Sequence, residues 1–366
     1  MNILHLDEQT GWRGGEQQAS WLIAGTVQKG HRVWIAGKPE SPFLTAEHGG
    51  VDVERIALPF RNEIDPVTVW KLAQLATAED IDIIHAHTSH THMIACLVHV
   101  LARRPSVVVS RRVSFPPKRD VFNRWKYNAP DRILAVSEKV AEVLRESDIN
   151  PEKVVRVYSS IDTSRLAVEP ADRSEFGIPE DATLLFNAGA LVGHKDHQTL
   201  IRAFARLYEV YESLHLLIAG EGALRADIEA EIAELGLKDV VTLAGHRDDV
   251  PRWMRAADCY VSSSWSEGLG TSVLEALACA KPVVATEAGG VGEMVLPGKT
   301  GFLVPNKDPE ALGDALIACL DDLEAAHKMA LAGQKRVDSI FSTPTMVADT
   351  LSVYHTLVAE RLGIAP

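Results

Sequence analysis

The sequence predicts an α/β protein with two Rossmann-like domains that face each other, and three observations support this. The chain has 366 residues, a length that suits about two domains. Hydrophobic residues make up 46% of the chain and charged residues 24%, which provides enough apolar material for two cores. Short aliphatic runs alternate with helix-length amphipathic stretches along the whole chain, as in parallel sheets covered by helices.

The first half of the chain predicts one doubly wound sheet with helices between most of its strands. Each predicted strand is a short aliphatic run that ends in polar or small residues. The predicted strands lie at 2–6, 32–36, 53–56, 81–85, 106–110, 132–136 and 154–158.

The second half predicts another such sheet, which begins after a polar, proline-containing stretch that ends at Pro179 and that we interpret as a linker. Its predicted strands lie at 183–187, 215–219, 240–243, 259–262 and 282–285. After Pro309 the pattern is helical, and Pro344 precedes a final amphipathic helix near 345–362 that is long enough to return to the first domain. The predicted domains are an acceptor-binding domain at 1–165 and a nucleotide-sugar-binding domain at 166–344, followed by the returning helix at 345–366.

Charge and composition exclude several classes of protein. The formal net charge of -13 disfavours nucleic acid as a partner. The most apolar stretch, 93–102, is about half as long as a membrane span. The first residues lead directly into a predicted strand, so we expect no signal peptide and a cytoplasmic location. The four cysteines lie far apart among aliphatic neighbours, as buried thiols do in a reducing compartment.

A glycine-rich loop follows the first predicted strand. Gly11, Gly14 and Gly15 let the backbone approach a ligand closely, and the helix that follows offers free N–H groups to an anion. The loop lacks the spacing of a dinucleotide fingerprint, and a simple turn without a ligand is the alternative.

Histidines follow the fourth predicted strand. His85 and His87 alternate onto one face, where imidazoles can hydrogen-bond sugar or phosphate oxygens, bind a metal, or simply fill the core. No carboxylate or thiolate accompanies them at a ligand-like spacing, so the sequence predicts no metal site.

Lys195 follows the first strand of the second domain through a glycine-containing turn. At this place a lysine can neutralise a phosphate beside a helix N-terminus, although a solvated lysine is the alternative.

The segment 262–276 is the densest motif in the chain. Gly268 and Gly270 free the backbone to turn, and Thr271 or Ser272 is expected to cap the helix that follows. The exposed amides then form a seat for an anion. Carboxylates beside such a seat, here Glu267 and Glu275, suit hydroxyl groups, so a ligand with both phosphates and sugars would satisfy the motif.

Residues 103–132 form a basic segment, with nine basic residues against two acidic ones. Four aromatic residues, Phe115, Phe122, Trp125 and Tyr127, are interleaved with the charges. This pattern suits a surface that meets anionic lipid headgroups, whereas base stacking or a solvated basic face would use the same residues.

Taken together, these motifs resemble family 4 of the retaining glycosyltransferases, which have the two-domain GT-B fold. The resemblance covers nearly the whole chain. It is carried by 14–16, 85–87, Leu191 with Lys195, 220–222, 267–275, 288–290 with Glu293, and 300–305.

The resemblance implies a nucleoside diphosphate sugar as donor and no separate cofactor. Glu267 would contact hydroxyls of the donor sugar, Glu275 would hold the ribose diol, and Lys195 would stabilise the diphosphate leaving group. The backbone segment expected to assist Lys195 comprises Gly268, Leu269, Gly270 and Thr271.

The resemblance also implies two contacts from the first domain. The backbone of Gly14 and Gly15 would approach the same phosphates, and His87 would approach the sugar from the acceptor side. The implied reaction is metal-independent hexosyl transfer to a lipid-linked, lipopolysaccharide or exopolysaccharide acceptor, with catalytic roles for His87, Lys195 and Glu267. With the basic segment 103–132, it also implies peripheral contact with the inner face of the cell membrane.

One position departs from the family pattern, because Ala190 stands where the family usually has arginine. Part of the expected positive charge is therefore missing. Arg13, Arg111 or Arg112 could supply it, or Lys195 could act with the helix amides alone. Two alternatives remain open: a nucleotide-sugar epimerase or hydrolase of the same fold, and a non-catalytic two-lobed binding protein.

Overall fold

The computed structural model describes residues 1–211 and 213–364. The chain divides into two compact units, the first formed by Met1–Ser160 with Thr343–Pro366 and the second by Ile161–Ser342. The boundary predicted from the sequence at 165 lies within the second unit, just after the point where the chain leaves the first one.

The first unit is a seven-stranded parallel sheet covered by helices. Its strand order is β3-β2-β1-β4-β5-β6-β7, so the order reverses between the neighbours β1 and β4. The strands are β1 (Asn2–Leu6), β2 (Arg32–Gly37), β3 (Glu54–Ala57), β4 (Ile83–Ala86), β5 (Ser106–Arg111), β6 (Arg132–Ala135) and β7 (Val154–Arg156). The helices between them are α1 (Gly14–Gln28), α2 (Pro42–Thr45), α3 (Pro66–Ala78), α4 (Ser89–Ala102), α5 (Val121–Asn128) and α6 (Glu138–Arg145).

The second unit is a six-stranded parallel sheet with the order β10-β9-β8-β11-β12-β13, and its order reverses between β8 and β11. The strands are β8 (Thr183–Ala188), β9 (Leu214–Ala219), β10 (Val241–Gly245), β11 (Cys259–Ser262), β12 (Val283–Thr286) and β13 (Phe302–Val304). The helices are α7 (His197–Tyr208), α8 (Arg225–Glu234), α9 (Val250–Ala256), α10 (Thr271–Ala278), α11 (Val291–Met294), α12 (Pro309–Asp321) and α13 (Leu323–Ile340).

The last helix, α14 (Thr343–Leu362), returns to the first unit. Gly25 of α1 lets it pack closely, because a Cβ at that position would lie 2.5 Å from Cγ2 of Val347. At its other end, Arg361 donates to the Asp82 carboxylate over 2.6 Å. Burial of Tyr354 and Leu357 beneath the first sheet supplies the apolar part of this contact.

The prediction of two Rossmann-like parallel sheets is confirmed, and every predicted strand is present within one or two residues of its expected bounds. The sequence pattern did not predict β13, a strand of only three residues that pairs with β12. Its predecessor Gly301 passes so close to β12 that a Cβ would lie 2.8 Å from the carbonyl oxygen of Val283. No helix among the described residues is long and apolar enough to cross a bilayer.

Candidate active site

The reversal of strand order in the second sheet brings together the two loops that carry the predicted donor motifs. In open α/β sheets, ligands bind outside the carboxyl ends of the strands at such a switch point. The loop that follows β8 contains Lys195, and the loop that follows the neighbouring strand β11 contains Glu267. Two motifs more than sixty residues apart in sequence are therefore adjacent because β8 and β11 pair directly.

Lys195 and Glu267 form an ion pair in the second unit. The Lys195 Nζ lies 2.5 Å from Oε1 of Glu267, and the two side chains are 20% and 13% exposed. The Ser264 hydroxyl donates to the same carboxylate oxygen over 2.7 Å. Because both contacts fall on Oε1, the second oxygen, Oε2, remains available to accept from a ligand hydroxyl.

A close backbone contact fixes the Glu267 loop from the side of β12. Gly289 has a φ of 54°, and a Cβ at this position would lie 1.8 Å from the carbonyl oxygen of Glu267. The Thr286 hydroxyl, at the end of β12, donates to the carbonyl of Ser264 over 2.5 Å. The loop is therefore held at both ends before any ligand arrives.

The N-terminus of α10 differs from the expectation. Neither Thr271 nor Ser272 caps the helix: the N-cap is Gly270, with a φ of 95° and no side chain to accept from the first-turn amides. Glycine is needed there because an L-residue is strained at this φ. The glycine cap leaves these amides for an anion rather than for a side-chain oxygen.

Glu275 lies just beyond the first turn of α10. Its carboxylate makes no hydrogen bond or ion pair with any other described residue, although Arg165 is near enough to act through its charge. Loss of hydration raises the pKa of Glu275 to about 7, and the charge of Arg165 opposes this rise. An unengaged, half-buried carboxylate is suited to accept hydrogen bonds from a diol.

In the first unit, the switch point between β1 and β4 is occupied by a buried histidine cluster. His5, His85 and His87 have ring nitrogens within 4.8 Å of one another, and burial holds the pKa of all three below the ordinary value. His85 bonds to the Tyr354 hydroxyl over 2.5 Å and to the Ser110 hydroxyl over 2.8 Å. These histidines are therefore neutral and bonded to the protein.

The hydrogen bonds of His87 fix its tautomer. Arg112 Nη2 lies 3.1 Å from Nδ1 of His87, and an arginine can only donate, so Nδ1 accepts. The proton is then on Nε2, which donates to Nδ1 of His5 over 2.9 Å. Both ring nitrogens of His87 are therefore engaged, and only 5% of the residue is exposed. The ring holds Arg112 in place, and the contact of His87 with the sugar stays a prediction.

The histidine cluster has the spacing of a metal site, which the sequence analysis did not recognise because His5 lies on another strand. The guanidinium of Arg112 that touches His87 opposes a second cation, and the nitrogens of His85 and His87 are already in hydrogen bonds. The prediction of no metal site stays a prediction.

The glycine loop of the first unit opens α1. Gly14 and Gly15 are the first residues of this helix, and the Glu16 carboxylate accepts from the backbone N–H of Arg13 over 2.7 Å. Arg112 lies directly beneath, because a Cβ on Gly15 would lie 3.7 Å from Cδ of Arg112. Ala190, in the second unit, is exposed after β8.

Fold and site together define a two-domain α/β protein whose candidate ligand-binding loops lie at the switch points of two parallel sheets. The profile described as Glycosyltransferase Family 4 matches residues 12–165, and that of Glycosyl transferases group 1 matches residues 168–336. The D-inositol 3-phosphate glycosyltransferase of Kribbella flavida is 30% identical over 302 residues, 75% of this chain and 71% of that protein. The chain belongs to glycosyltransferase family 4 and is a glycosyltransferase of the GT-B type.

Further comparisons agree with this assignment. The lipopolysaccharide core biosynthesis glycosyltransferase LpsE of Rhizobium meliloti is 30% identical over 234 residues, 64% of this chain and 65% of that protein. Among solved structures, Anabaena HepE in complex with UDP and glucose superposes with a TM-score of 0.83 at 23% identity, covering 96% of this chain and 100% of that one. At this identity the superposition establishes the fold.

Proposed function

We propose that the chain transfers a sugar, with retention of configuration and without a metal ion, from a nucleoside diphosphate sugar to a lipid-linked, lipopolysaccharide or exopolysaccharide acceptor. The observation that carries the proposal is the Lys195–Glu267 ion pair beside the glycine-capped N-terminus of α10. The comparisons support the same class of reaction. One relative is named for D-inositol 3-phosphate and another for the lipopolysaccharide core, and the structural neighbour is a complex with UDP and glucose.

The leaving group explains the proposed roles in the second unit. A departing nucleoside diphosphate gains negative charge in the transition state, and donors already aimed at that charge stabilise it more than the ground state. Lys195 and the backbone of 268–271 supply these donors, and Glu267 binds hydroxyls of the sugar through its free oxygen. A cation and amides in these places take the part that a metal ion plays in other transferases.

The test of the function is a thermal-shift panel of nucleoside diphosphates and their sugars, with and without magnesium. A ligand that binds the native state raises the midpoint of unfolding by mass action. We expect selective stabilisation by one nucleotide in the absence of magnesium, followed by sugar release or transfer when acceptors are added. If no nucleotide stabilises the chain, the proposal fails and the binding-protein alternative, favoured by the uncharged Ala190, takes its place.

A variant pair tests the role of Glu275. We expect Glu275→Ala to weaken nucleotide binding by about tenfold, the effect of losing one hydrogen bond to a charged group. In the wild type, affinity should rise as pH increases through about 7, because only the ionised carboxylate accepts from both hydroxyls of a diol.

The matched variant for this test is Glu275→Gln, which keeps the shape of the side chain and does not titrate. Its affinity should lack the pH dependence that comes from Glu275. The pH dependence that comes from ionisation of the ligand phosphate should persist in both the wild type and Glu275→Gln. Calorimetric titration at pH 6, 7 and 8 measures both effects. An affinity unchanged by Glu275→Ala would disprove the assignment to the ribose.

The proposed membrane contact lies on α5 of the first unit. This helix turns its apolar side outward, with Val121 87% exposed and Phe122 and Trp125 also exposed, while its Lys126 is buried and paired with Glu63. The cations beside these apolar side chains, Lys118, Arg119 and Arg124, are exposed. Such a surface suits the headgroup region of an anionic leaflet on the inner face of the cell membrane.

Vesicle sedimentation tests the membrane contact. Neutralising Lys118, Arg119 and Arg124 together should reduce binding to phosphatidylglycerol vesicles by about a hundredfold, since each cation contributes roughly 1 kcal/mol near an anionic surface. The control neutralises Lys139 and Arg145 on α6, which carries no such apolar side. Equal binding by both variants would show that α5 is not the membrane surface.

A further inference from the structure

Two consecutive arginines at the end of β5 lie within the first unit without a carboxylate partner. Arg111 donates to the Tyr127 hydroxyl over 2.8 Å and to the carbonyl of Phe115 over 2.6 Å. Within 1–211 and 213–364, Arg112 donates only to His87, through its carbonyl at 2.9 Å and its Nδ1 at 3.1 Å. Every one of these acceptors is neutral, and among the described residues no carboxylate lies within 4.0 Å of either guanidinium.

This arrangement is unusual for partly buried cations. Burial lowers the pKa of both arginines, which reflects the cost of holding the charges there. Asp7 and Glu16 act on Arg112 only through their charge, without contact, and burial raises the pKa of Asp7 to about 7, so its own charge is only partial at neutral pH. Elsewhere in the first unit a buried cation is paired, as Lys126 is with Glu63 at 2.8 Å.

Both arginines line one large cavity. Its volume is about 880 Å³, within the range of small-molecule sites, and Lys118, Thr88 and Phe115 also contribute to its walls. Each guanidinium has five N–H groups and uses two of them within the described protein, so donors remain on both. Phe115, 60% exposed, stacks on Arg111 at 4.9 Å and gives the cavity an aromatic rim.

We propose that this cavity binds a phosphate ester group of the acceptor and that Arg111 and Arg112 are the residues that hold it. The inference rests on the proposed glycosyl transfer and names the chemical class of its acceptor. Arginine suits this role because its planar fork matches the oxygens of a phosphate. His87 then serves as a positioning residue, whose carbonyl and Nδ1 orient Arg112 toward the cavity.

A binding experiment with soluble probes tests the site on the full chain. The probes are glycerol 1-phosphate, glycerol as the uncharged match and succinate as a carboxylate, measured by calorimetric titration. We expect glycerol 1-phosphate to bind more tightly than either control. Arg111→Gln and Arg112→Gln should each weaken its binding at least tenfold, and Arg111→Lys should retain an intermediate affinity.

The matched control is Arg145→Gln, which removes one exposed positive charge from α6 of the same unit, outside both this cavity and the proposed membrane surface. It should bind glycerol 1-phosphate as the wild type does. Equal losses in Arg145→Gln and Arg111→Gln, no phosphate binding by the wild type, or a preference for succinate would each overturn the proposal. Circular dichroism and the unfolding midpoint without ligand establish that each variant is folded, and Arg111→Lys provides the comparison if the glutamine variants are not.

Two further measurements identify the source of the phosphate and distinguish failure of this site from failure of the proposed function. Binding to phosphatidylglycerol vesicles that depends on Arg111 and Arg112 assigns the site to a lipid phosphate, and binding of glycerol 1-phosphate alone assigns it to a soluble or sugar phosphate. UDP and other nucleoside diphosphates are titrated in parallel. Binding of glycerol 1-phosphate without binding of any nucleotide would disprove the proposed glycosyl transfer but not the phosphate site. Binding of a nucleotide without binding of glycerol 1-phosphate would disprove the phosphate site alone.

Discussion

Replacing Glu267 with alanine should lower the rate of sugar transfer by about 10²–10³-fold, the loss that follows removal of one group placed for the transition state. Affinity for the nucleoside diphosphate should stay the same or increase. The reason is the 2.5 Å contact with Lys195, because Glu267 neutralises part of the charge that the diphosphate would use. Without the carboxylate, Lys195 is free to attract phosphate but the sugar loses its hydroxyl contact.

The measurement compares single-turnover transfer with calorimetric binding of the nucleoside diphosphate. Glu324→Ala is the matched control, because Glu324 also pairs with a lysine, Lys328 at 2.6 Å, on an exposed surface. It should leave both quantities unchanged. A fall in nucleotide affinity with the single-turnover rate unchanged would contradict the separation of roles, because it would show that Glu267 binds donor and transition state equally.

A third variant, Lys195→Met, tests the same ion pair by removing its lysine. It removes the positive charge beside the leaving group and leaves Glu267 as a partly buried carboxylate that, among the described side chains, keeps the Ser264 hydroxyl as its donor. Both rate and nucleotide affinity should then fall, since the remaining carboxylate repels the diphosphate. Lys195→Met should thus lower nucleotide affinity, whereas Glu267→Ala should leave it the same or raise it, and this difference is specific to an ion pair within the site.

The sequence was sufficient for the two sheets because periodicity alone distinguishes aliphatic strands from amphipathic helices. It also placed Lys195 and Glu267 in loops after strands, because glycine and polar residues mark such strand ends, and the functional roles of these residues and of Glu275 stay predictions. It missed β13, where three residues are too few to show alternation. It misassigned the cap of α10, because Thr271 and Ser272 have the hydroxyl groups that usually cap a helix, whereas the residue at the N-cap is Gly270.

Contacts between distant residues could not be predicted in this way. The Lys195–Glu267 pair depends on the adjacency of β8 and β11, which follows from strand order and not from spacing. The same limit explains why His5 was not associated with His87, since β1 and β4 are neighbours only in the folded sheet. Arg112 was noted only as a charge. Its hydrogen bond to His87 became visible with the tertiary structure.

Gly289→Ala should have the second large effect, although residue 289 carries no functional group. A Cβ at this position would lie 1.8 Å from the Glu267 carbonyl oxygen, and the φ of 54° already disfavours any L-residue. Overpacking against backbone and the strained φ together should destabilise the second unit by about 3 kcal/mol. If the unit still folds, the Glu267 loop must move, and a displacement of about 1 Å at a catalytic group costs roughly 10²-fold in rate.

Gly292→Ala is the control for this substitution, because it adds the same methyl group three residues later, on α11. There the Cβ would meet only Cδ2 of Leu303 at 3.5 Å, an ordinary contact, so stability should change by less than about 1 kcal/mol. Denaturant unfolding and single-turnover transfer on both variants separate the two effects. Full activity of Gly289→Ala would show that the Glu267 backbone is free to move, and the loop could then not be regarded as prearranged for catalysis.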